Sequence, residues 1–467
     1  MHVGVVALFE NTSFQRPGGA VDVEKFRSFV VARLRAVPRY RQKVVGIPLT
    51  GSPVWIDHAG FSVEEHVIET AVAAPGDEAA LKALASGIFS VPLDRALPLW
   101  QMYVVQGLAD PDRFAVIFKA AHAMVDGVAG MDFLSVLLSA EPIAEVEPAA
   151  AFEPATAPHA ARLLLAEAAH LGKAPVEIVG GAVRLLYDGA ARRSFVAHSV
   201  ALARFVLRGI RGTSKTPLTP APVAARLHDW FSTDRSDERS IRSRLGGTRD
   251  DVSLAVTTGA ARALLLRAGM KMRRLRVRAM VPLNVRTRQE RGNLGNRVST
   301  YIVDLPVSEP DARKRLELLC RNIAYLKQTK QELAVEALAK IDRWTGTLAQ
   351  RMSMWLATTV RAYNVCVTNI PGPPVPLYAL ESKLVEIYPF APVFAGQQIN
   401  VAALTYLGRL NWGVHYAGTD EAELRRIMAD LQGAFDELVA AASATLPRIR
   451  IVELDEAPDA AAGALGL

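Results

Sequence analysis

Cysteine is almost missing from this chain: Cys320 and Cys366 are the only two among 467 residues. Two thiols cannot build a disulfide framework, and they do not form a Cys-x-x-Cys pair, so a reducing, cytoplasmic setting is expected. Long apolar runs are missing too. No window approaches the roughly 18 uninterrupted apolar residues of a bilayer-spanning helix. The most apolar stretch, Ser194 to Ile210, is interrupted by His198, Arg204 and Arg208. The start, Met1-His2-Val3-Gly4, lacks the basic region and apolar core of a signal peptide. The nine histidines are scattered, with no H-E-x-x-H and no carboxylate–histidine cluster, so no metal is expected. A G-x-S-x-G nucleophile elbow, a P-loop and a G-x-G-x-x-G turn are also absent. Gly292-Asn293-Leu294-Gly295-Asn296 is glycine-rich but lacks their spacing and their lysine. Phosphoryl and hydride transfer therefore have no support.

What is present is apolar material: half of the residues are hydrophobic and 22% are charged, enough for a large packed core. The net charge of +7 suits anionic partners such as CoA or anionic lipid. Between Arg192 and Lys215, six arginines and lysines face no acidic residue. No helix-turn-helix, RNP or zinc-finger pattern accompanies them, so nucleic acid is not expected.

Along the chain, an apolar strand over His2–Phe9 precedes a helix from Val23 to Val37, ended by Pro38. A helix behind Asp77 leads to strands at Trp100–Val105 and Phe114–Phe118, and a further helix is expected from Val128. Residues 146–225 read as a Pro/Ala-rich linker followed by helix, largely over Leu163–Leu207. Strands and helices then alternate again: a helix over Val252–Ala268, strands near Leu275–Pro282 and Val298–Leu305, and helices from Asp311 through the Trp355 region. Strands at Tyr363–Thr368, Ile399–Tyr406 and Leu410–Tyr416 precede a closing helix behind Thr419. The expected organisation is an α/β first half over 1–145, a linker over 146–225, a second α/β half over 226–450 and a flexible tail over 451–467. A ligand cleft between the halves is the natural site.

His122-Ala123-Met124-Val125-Asp126-Gly127 is the segment that carries chemistry. A buried strand delivers the chain to His122, whose imidazole can take a hydroxyl proton near neutral pH. Asp126 can lock the loop through a charged hydrogen bond, and Gly127 permits close backbone approach. The same four-residue spacing reads equally well as a packed histidine followed by an Asp N-cap.

Further segments go beyond that spacing. They are Met1-His2-Val3-Gly4, Pro92-Leu93-Asp94-Arg95-Ala96-Leu97-Pro98-Leu99-Trp100, Asp251-Val252, Pro282-Leu283-Asn284-Val285-Arg286, Leu294-Gly295-Asn296, Thr368-Asn369-Ile370-Pro371-Gly372-Pro373 and Tyr406-Leu407-Gly408. In this order, with the His122 segment, the chain resembles the bacterial wax ester synthase/diacylglycerol acyltransferase family of the CoA-dependent acyltransferase superfamily. The resemblance implies two chloramphenicol-acetyltransferase-like halves around a tunnel, no bound cofactor, and acyl-CoA as co-substrate. It implies transfer of a fatty acyl group to a long-chain alcohol or a diacylglycerol, with His122 as general base and no acyl-enzyme. Asp126 is then structural, with Arg286 as its partner across the halves; a solvated Arg286 is the alternative. Pro98, Leu99 and Trp100 either shape the substrate channel or form a rigid turn with a core tryptophan.

Three departures from the family pattern bear on the chemistry. Ala121 stands where the family usually has a first histidine. Asp250, beside Asp251, stands where it usually has an asparagine able to donate to the oxyanion, so Asp250 is expected to be protonated or to yield that role to a donor such as Asn296. The family's short leader before Met-His-Val-Gly is also missing. These departures keep two other readings open: a shorter hydroxyl acceptor, or a weakened homologue that binds acyl-CoA or lipid. The basic stretch Arg192 to Lys215 is either a peripheral seat on the inner membrane face or a lipid droplet, or a solvated linker helix.

Overall fold

The computed structural model describes residues 2–35, 37–124, 136–147, 152–219, 225–284, 298–329, 333–334, 362–394 and 396–445. Secondary structure in the first part comprises β1 (His2–Glu10), α1 (Val23–Leu34), β2 (Gln42–Gly46), β3 (Pro53–Asp57), β4 (Val67–Ala71), α2 (Glu78–Ser90), β5 (Trp100–Gln106) and β6 (Arg113–Ala121). Two long helices follow, α3 (Ala160–Tyr187) and α4 (Gly189–Ile210). The remainder comprises β7 (Leu227–Asp234), α5 (Arg235–Leu245), α6 (Arg249–Arg267), β8 (Arg278–Asn284), β9 (Val298–Asp304), α7 (Ala312–Gln328), β10 (Val365–Ile370), β11 (Tyr378–Ala379), β12 (Ser382–Phe390), β13 (Ile399–Tyr406), β14 (Arg409–Tyr416) and α8 (Glu421–Ser443). The helix expected from Val128 lies almost wholly outside the described residues, as do the Trp355 region and the tail over 451–467.

The described strands make two six-stranded sheets and a β2–β3 hairpin. The first sheet runs β11-β12-β1-β6-β5-β4 and the second β7-β14-β13-β10-β8-β9. Two strands of the first sheet, β11 and β12, therefore come from within the stretch expected to form the second half. β12 pairs antiparallel with β1, Gly4 opposite Phe390 and Val6 opposite Tyr388. The division of the chain at residue 226 is thus crossed by residues 378–390, which close the first sheet.

Helix ends follow local chemistry. Asp22, Asp77, Asp311 and Asp420 each accept a backbone N–H in the first turn of the helix they precede. At α6, Thr248 and Asp251 form a reciprocal capping box. α6 is buried on almost every face because it packs between the second sheet and α7 and α8. A Cβ at Gly259 would come within 2.6 Å of the Ala434 Cβ, so glycine sets the close approach of α6 to α8.

One face of the second sheet packs on these helices through Val401, Ala403, Trp412 and Val414. Side chains alternate along a strand, so the opposite face, carrying Asn400, Leu404 and His415, turns toward the first half. There Leu404 and Tyr406 join the first half's core with Phe118, Leu384 and Ile387. The Tyr406 hydroxyl accepts from Leu377 N at 2.9 Å and donates to Leu384 O at 2.9 Å, tying β13 to the crossing segment.

Candidate active site

His122 follows directly on β6, in a short turn over His122–Met124. The strand end is fixed from two sides. Ala121 pairs with His2 of β1, and its N–H donates to Leu99 O at 2.8 Å. Leu99 is itself held, because Trp100 N donates back to Pro98 O at 2.9 Å. The Trp100 ring is fully buried, donates to Tyr40 O at 2.7 Å, and stacks on His66 with centroids 4.5 Å apart. Pro98-Leu99-Trp100 thus anchors the strand that presents His122, with Trp100 in the core.

Gly4 has a steric role. A Cβ there would lie 2.2 Å from Phe118 O and 2.4 Å from the Phe89 ring, so only glycine lets β1, β6 and α2 close around the strand that leads to His122.

Burial holds the His122 imidazole below its ordinary pKa, with a backbone hydrogen bond opposing it. The ring is therefore neutral at pH 7, the form a general base needs.

Lys119, three residues before His122, escaped the sequence reading. It is fully buried, and burial lowers its pKa to about 8. Its Nζ donates to Ile88 O and Val91 O, each at 2.9 Å, where α2 ends. A cation at a helix C-terminus meets the negative end of the helix dipole. The visible signal was a lone charge in the apolar run Phe114–Ala121.

α2 also holds the second half. Lys82 Nζ donates to Trp230 O at 3.0 Å and pairs with Asp229 at 2.7 Å. Ser86 Oγ accepts from His228 N at 2.9 Å, and Ser90 Oγ donates to Arg226 O at 2.9 Å. Four helical residues rise about 6 Å and two strand residues about 6.6 Å. Positions 82, 86 and 90 therefore match the free backbone groups at 230, 228 and 226, and α2 covers the open edge of β7.

Facing the first half, one register row crosses the second sheet: His228 opposite His415, then Asn400, Cys366 and Met280. His228 and His415 are buried, with ring centroids 4.3 Å apart. Burial drives His228 well below the ordinary histidine range, with His415 contributing, and takes His415 to about 3. Both stay neutral. Among the described residues no partner is found for either His228 ring nitrogen, for His415 Nε2 or for Asn400 Oδ1. Burial pushes the Cys366 and Cys320 thiols up to about 12, so neither is a nucleophile near neutral pH.

The two acids at the start of α6 differ. Asp251 is buried and spent on the capping box, its Oδ2 accepting from Thr248 N and Thr248 Oγ1, each at 2.7 Å. The Asp250 pKa is raised, chiefly by burial, while a hydrogen bond from Asn369 pulls the other way. That contact joins two segments singled out separately, the Asp250-Asp251 helix start and the stretch from Thr368 to Pro373, which runs from the end of β10 into a loop. The loop lies against β13: Gly372 N donates to Thr405 Oγ1 at 3.2 Å, and a Cβ at Gly372 would fall 1.8 Å from Thr405 O.

Asp126, Gly127, Arg286 and Asn296 lie outside the described residues. The basic stretch from Arg192 runs along α4, where Phe195, Val196 and Leu207 are 57%, 58% and 63% exposed. No described helix is long and apolar enough to cross a membrane.

Residues 1–253 match the wax ester synthase/diacylglycerol acyltransferase catalytic domain, and residues 294–439 match the WS/DGAT C-terminal domain. A Mycobacterium tuberculosis protein named as a diacylglycerol O-acyltransferase is 29% identical over 97% of this chain and 94% of its own length. Another protein of that species, tgs1, is 26% identical over 94% of this chain and 91% of its own. Among solved structures, the wax ester synthase/diacylglycerol acyltransferase of Marinobacter aquaeolei VT8 superposes with a TM-score of 0.67 at 21% identity, covering 95% of each chain. The first condensation domain of the calcium-dependent antibiotic synthetase reaches 0.57 at 13% identity, over 95% of this chain and 92% of that one. The two halves therefore share the chloramphenicol-acetyltransferase-like architecture of these proteins.

Proposed function

The chain belongs to the wax ester synthase/diacylglycerol acyltransferase family, and from that premise we propose that it moves a fatty acyl group from acyl-CoA to the hydroxyl of a long-chain alcohol or a diacylglycerol. His122 is the general base. Its neutral imidazole takes the hydroxyl proton as the oxygen attacks the thioester carbonyl. The tetrahedral adduct collapses with loss of the CoA thiolate, which recovers the proton from the imidazolium. No acyl-enzyme forms. The observation that carries this reading is the neutral His122 ring on a strand end pinned by Leu99.

Asp126 holds the His122 loop, with Gly127 allowing the close turn and Arg286 as the partner of Asp126 from the other half. Burial moves Asp250 toward its neutral form, in which it donates to the developing oxyanion as an amide would; where Asp250 is ionised, Asn296 is the donor. Pro98, Leu99 and Trp100 act by holding the strand end, and Asp251 by capping α6. The basic, apolar-studded α4 seats the protein on an anionic lipid surface, an inner membrane face or a lipid droplet.

The test is CoA release by purified protein from palmitoyl-CoA with hexadecanol or dioleoylglycerol. His122→Ala should lower turnover by about 10²–10⁴-fold. Full activity in that variant removes His122 as base. Turnover confined to short alcohols replaces the acceptor, and tight acyl-CoA binding without any turnover makes the protein a binding homologue.

A further inference from the structure

A cavity in the second half lies where the C-terminal part of α4 meets the chain entering β8. It encloses about 810 Å³ and is lined by six arginines: Arg204, Arg211, Arg273, Arg274, Arg276 and Arg278. Its volume is within the range of ligand sites, roughly 300–1,000 Å³. Among the described residues of its lining Asp304 is the only acid, and it pairs with Arg278 at 2.7 Å.

Four stretches of chain meet there: the C-terminal part of α4, the run from Arg273 into β8, the end of β9, and α7 through Asn322, Tyr325 and Leu326. The meeting is pinned by backbone. Ser214 N donates to Arg276 O at 2.9 Å, and the Arg276 guanidinium binds Arg211 O and Gly212 O. Arg278 N donates to Asn364 Oδ1 at 3.0 Å, and Asn364 Nδ2 reaches Ser214 O at 3.3 Å. Arg274 closes a short helical turn over Met272–Arg274; beyond it, in the run Arg276-Val277-Arg278, side chains alternate, so Arg276 and Arg278 share one side. Arg204, Arg273 and Arg274 have no carboxylate partner among the described residues.

Six guanidinium groups around one cavity repel one another, and a single paired carboxylate does not relieve them. A phosphate does, because its oxygens take the paired N–H donors of a guanidinium in bidentate fashion. We propose that this cavity binds a phosphate ester. Two sources share that chemistry: the phosphates of a CoA thioester, and the headgroup of an anionic phospholipid. The proposal stands on the cavity alone and does not depend on the role of His122.

The experiment measures equilibrium binding rather than turnover, on the full chain. One arm titrates CoA and dephospho-CoA; the other floats the protein with vesicles of phosphatidylcholine alone or mixed equally with phosphatidylglycerol. The variants are Arg273→Gln/Arg274→Gln on one wall and Arg204→Gln on the other, all exposed side chains, with thermal melting to verify folding. CoA as occupant predicts that the double variant binds CoA about tenfold more weakly and loses the preference over dephospho-CoA. Lipid as occupant predicts unchanged CoA binding and about tenfold less flotation with phosphatidylglycerol vesicles. Arg273→Lys/Arg274→Lys, which keeps the charge but not the fork, should fall between. Folded variants that match the unmodified protein in both arms at low salt overturn the proposal.

Discussion

His122 sits where burial opposes its charged form, and this sets how the protein should respond to pH. A general base works only when neutral, so activity falls as pH drops through the imidazole pKa. Because that pKa lies below the ordinary 6.5, kcat/KM for CoA release should be flat through neutrality and fall only on the acid side of 6.5. An acid limb centred above 6.5 would contradict the environment assigned to His122. Asp250 shows the opposite sign. A carboxyl whose folded-state pKa is raised destabilises the fold at pH values above the unfolded pKa, as charge is forced into a buried place. Asp250→Asn removes that cost and supplies an amide donor. The melting temperature at pH 7 should rise, the gain should vanish in acid, and turnover should increase severalfold; a large loss of turnover would show that the carboxyl itself is required. The sequence made His122 and Asp250 visible as residues, since each stands in a motif. It did not make their protonation states visible, because those depend on groups brought together only by folding, such as Asn369 beside Asp250.

At the level of strands and helices, legibility followed burial pattern. β1, β6 and β13 are buried on both faces, and largely apolar runs announced them. β12 stayed hidden because Lys383, Glu386 and Pro389 break its apolar character, while its partner β1 lies at the other end of the chain. The polar face of α2 was equally silent. Lys82, Ser86 and Ser90 look like a solvated stripe until β7 is placed against them. The glycine of Met-His-Val-Gly is explained by packing at this same level. Gly4→Ala forces a methyl group onto Phe118 O and the Phe89 ring, and the backbone oxygen cannot swing aside. The expected cost is about 3 kcal/mol, near the upper end for overpacking, read as a lower denaturant midpoint with an unchanged slope. An unchanged midpoint would mean that β1 relaxes away from β6.

For the whole molecule, the two sheets are not two independent bodies. β11 and β12 belong to the first sheet, while β10 before them and β13 after them belong to the second. Tyr406 is hydrogen-bonded into the crossing segment, and α2 covers the edge of β7. Unfolding in denaturant should therefore be a single transition, coincident by far-ultraviolet circular dichroism and by tryptophan fluorescence, although buried tryptophans lie in both halves, at Trp100 and Trp412. Two separated transitions would show that the crossing strand adds little. The sequence alone suggested two halves in series; the exchange of a strand between them is a property of topology that no local pattern carries.

The crossing strand also sets a timetable for synthesis. β1 leaves the ribosome long before β12, and β6 can pair with one of its edges early. The other edge waits for β12, whose partner to Gly4 is Phe390, so all of the intervening chain must be translated before the first sheet closes. Throughout that interval an apolar strand edge stands open to pairing with other chains. Newly made protein should therefore depend on chaperones well after its first domain-sized stretch has emerged, and fragments ending before residue 382 should aggregate instead of folding as a separate half.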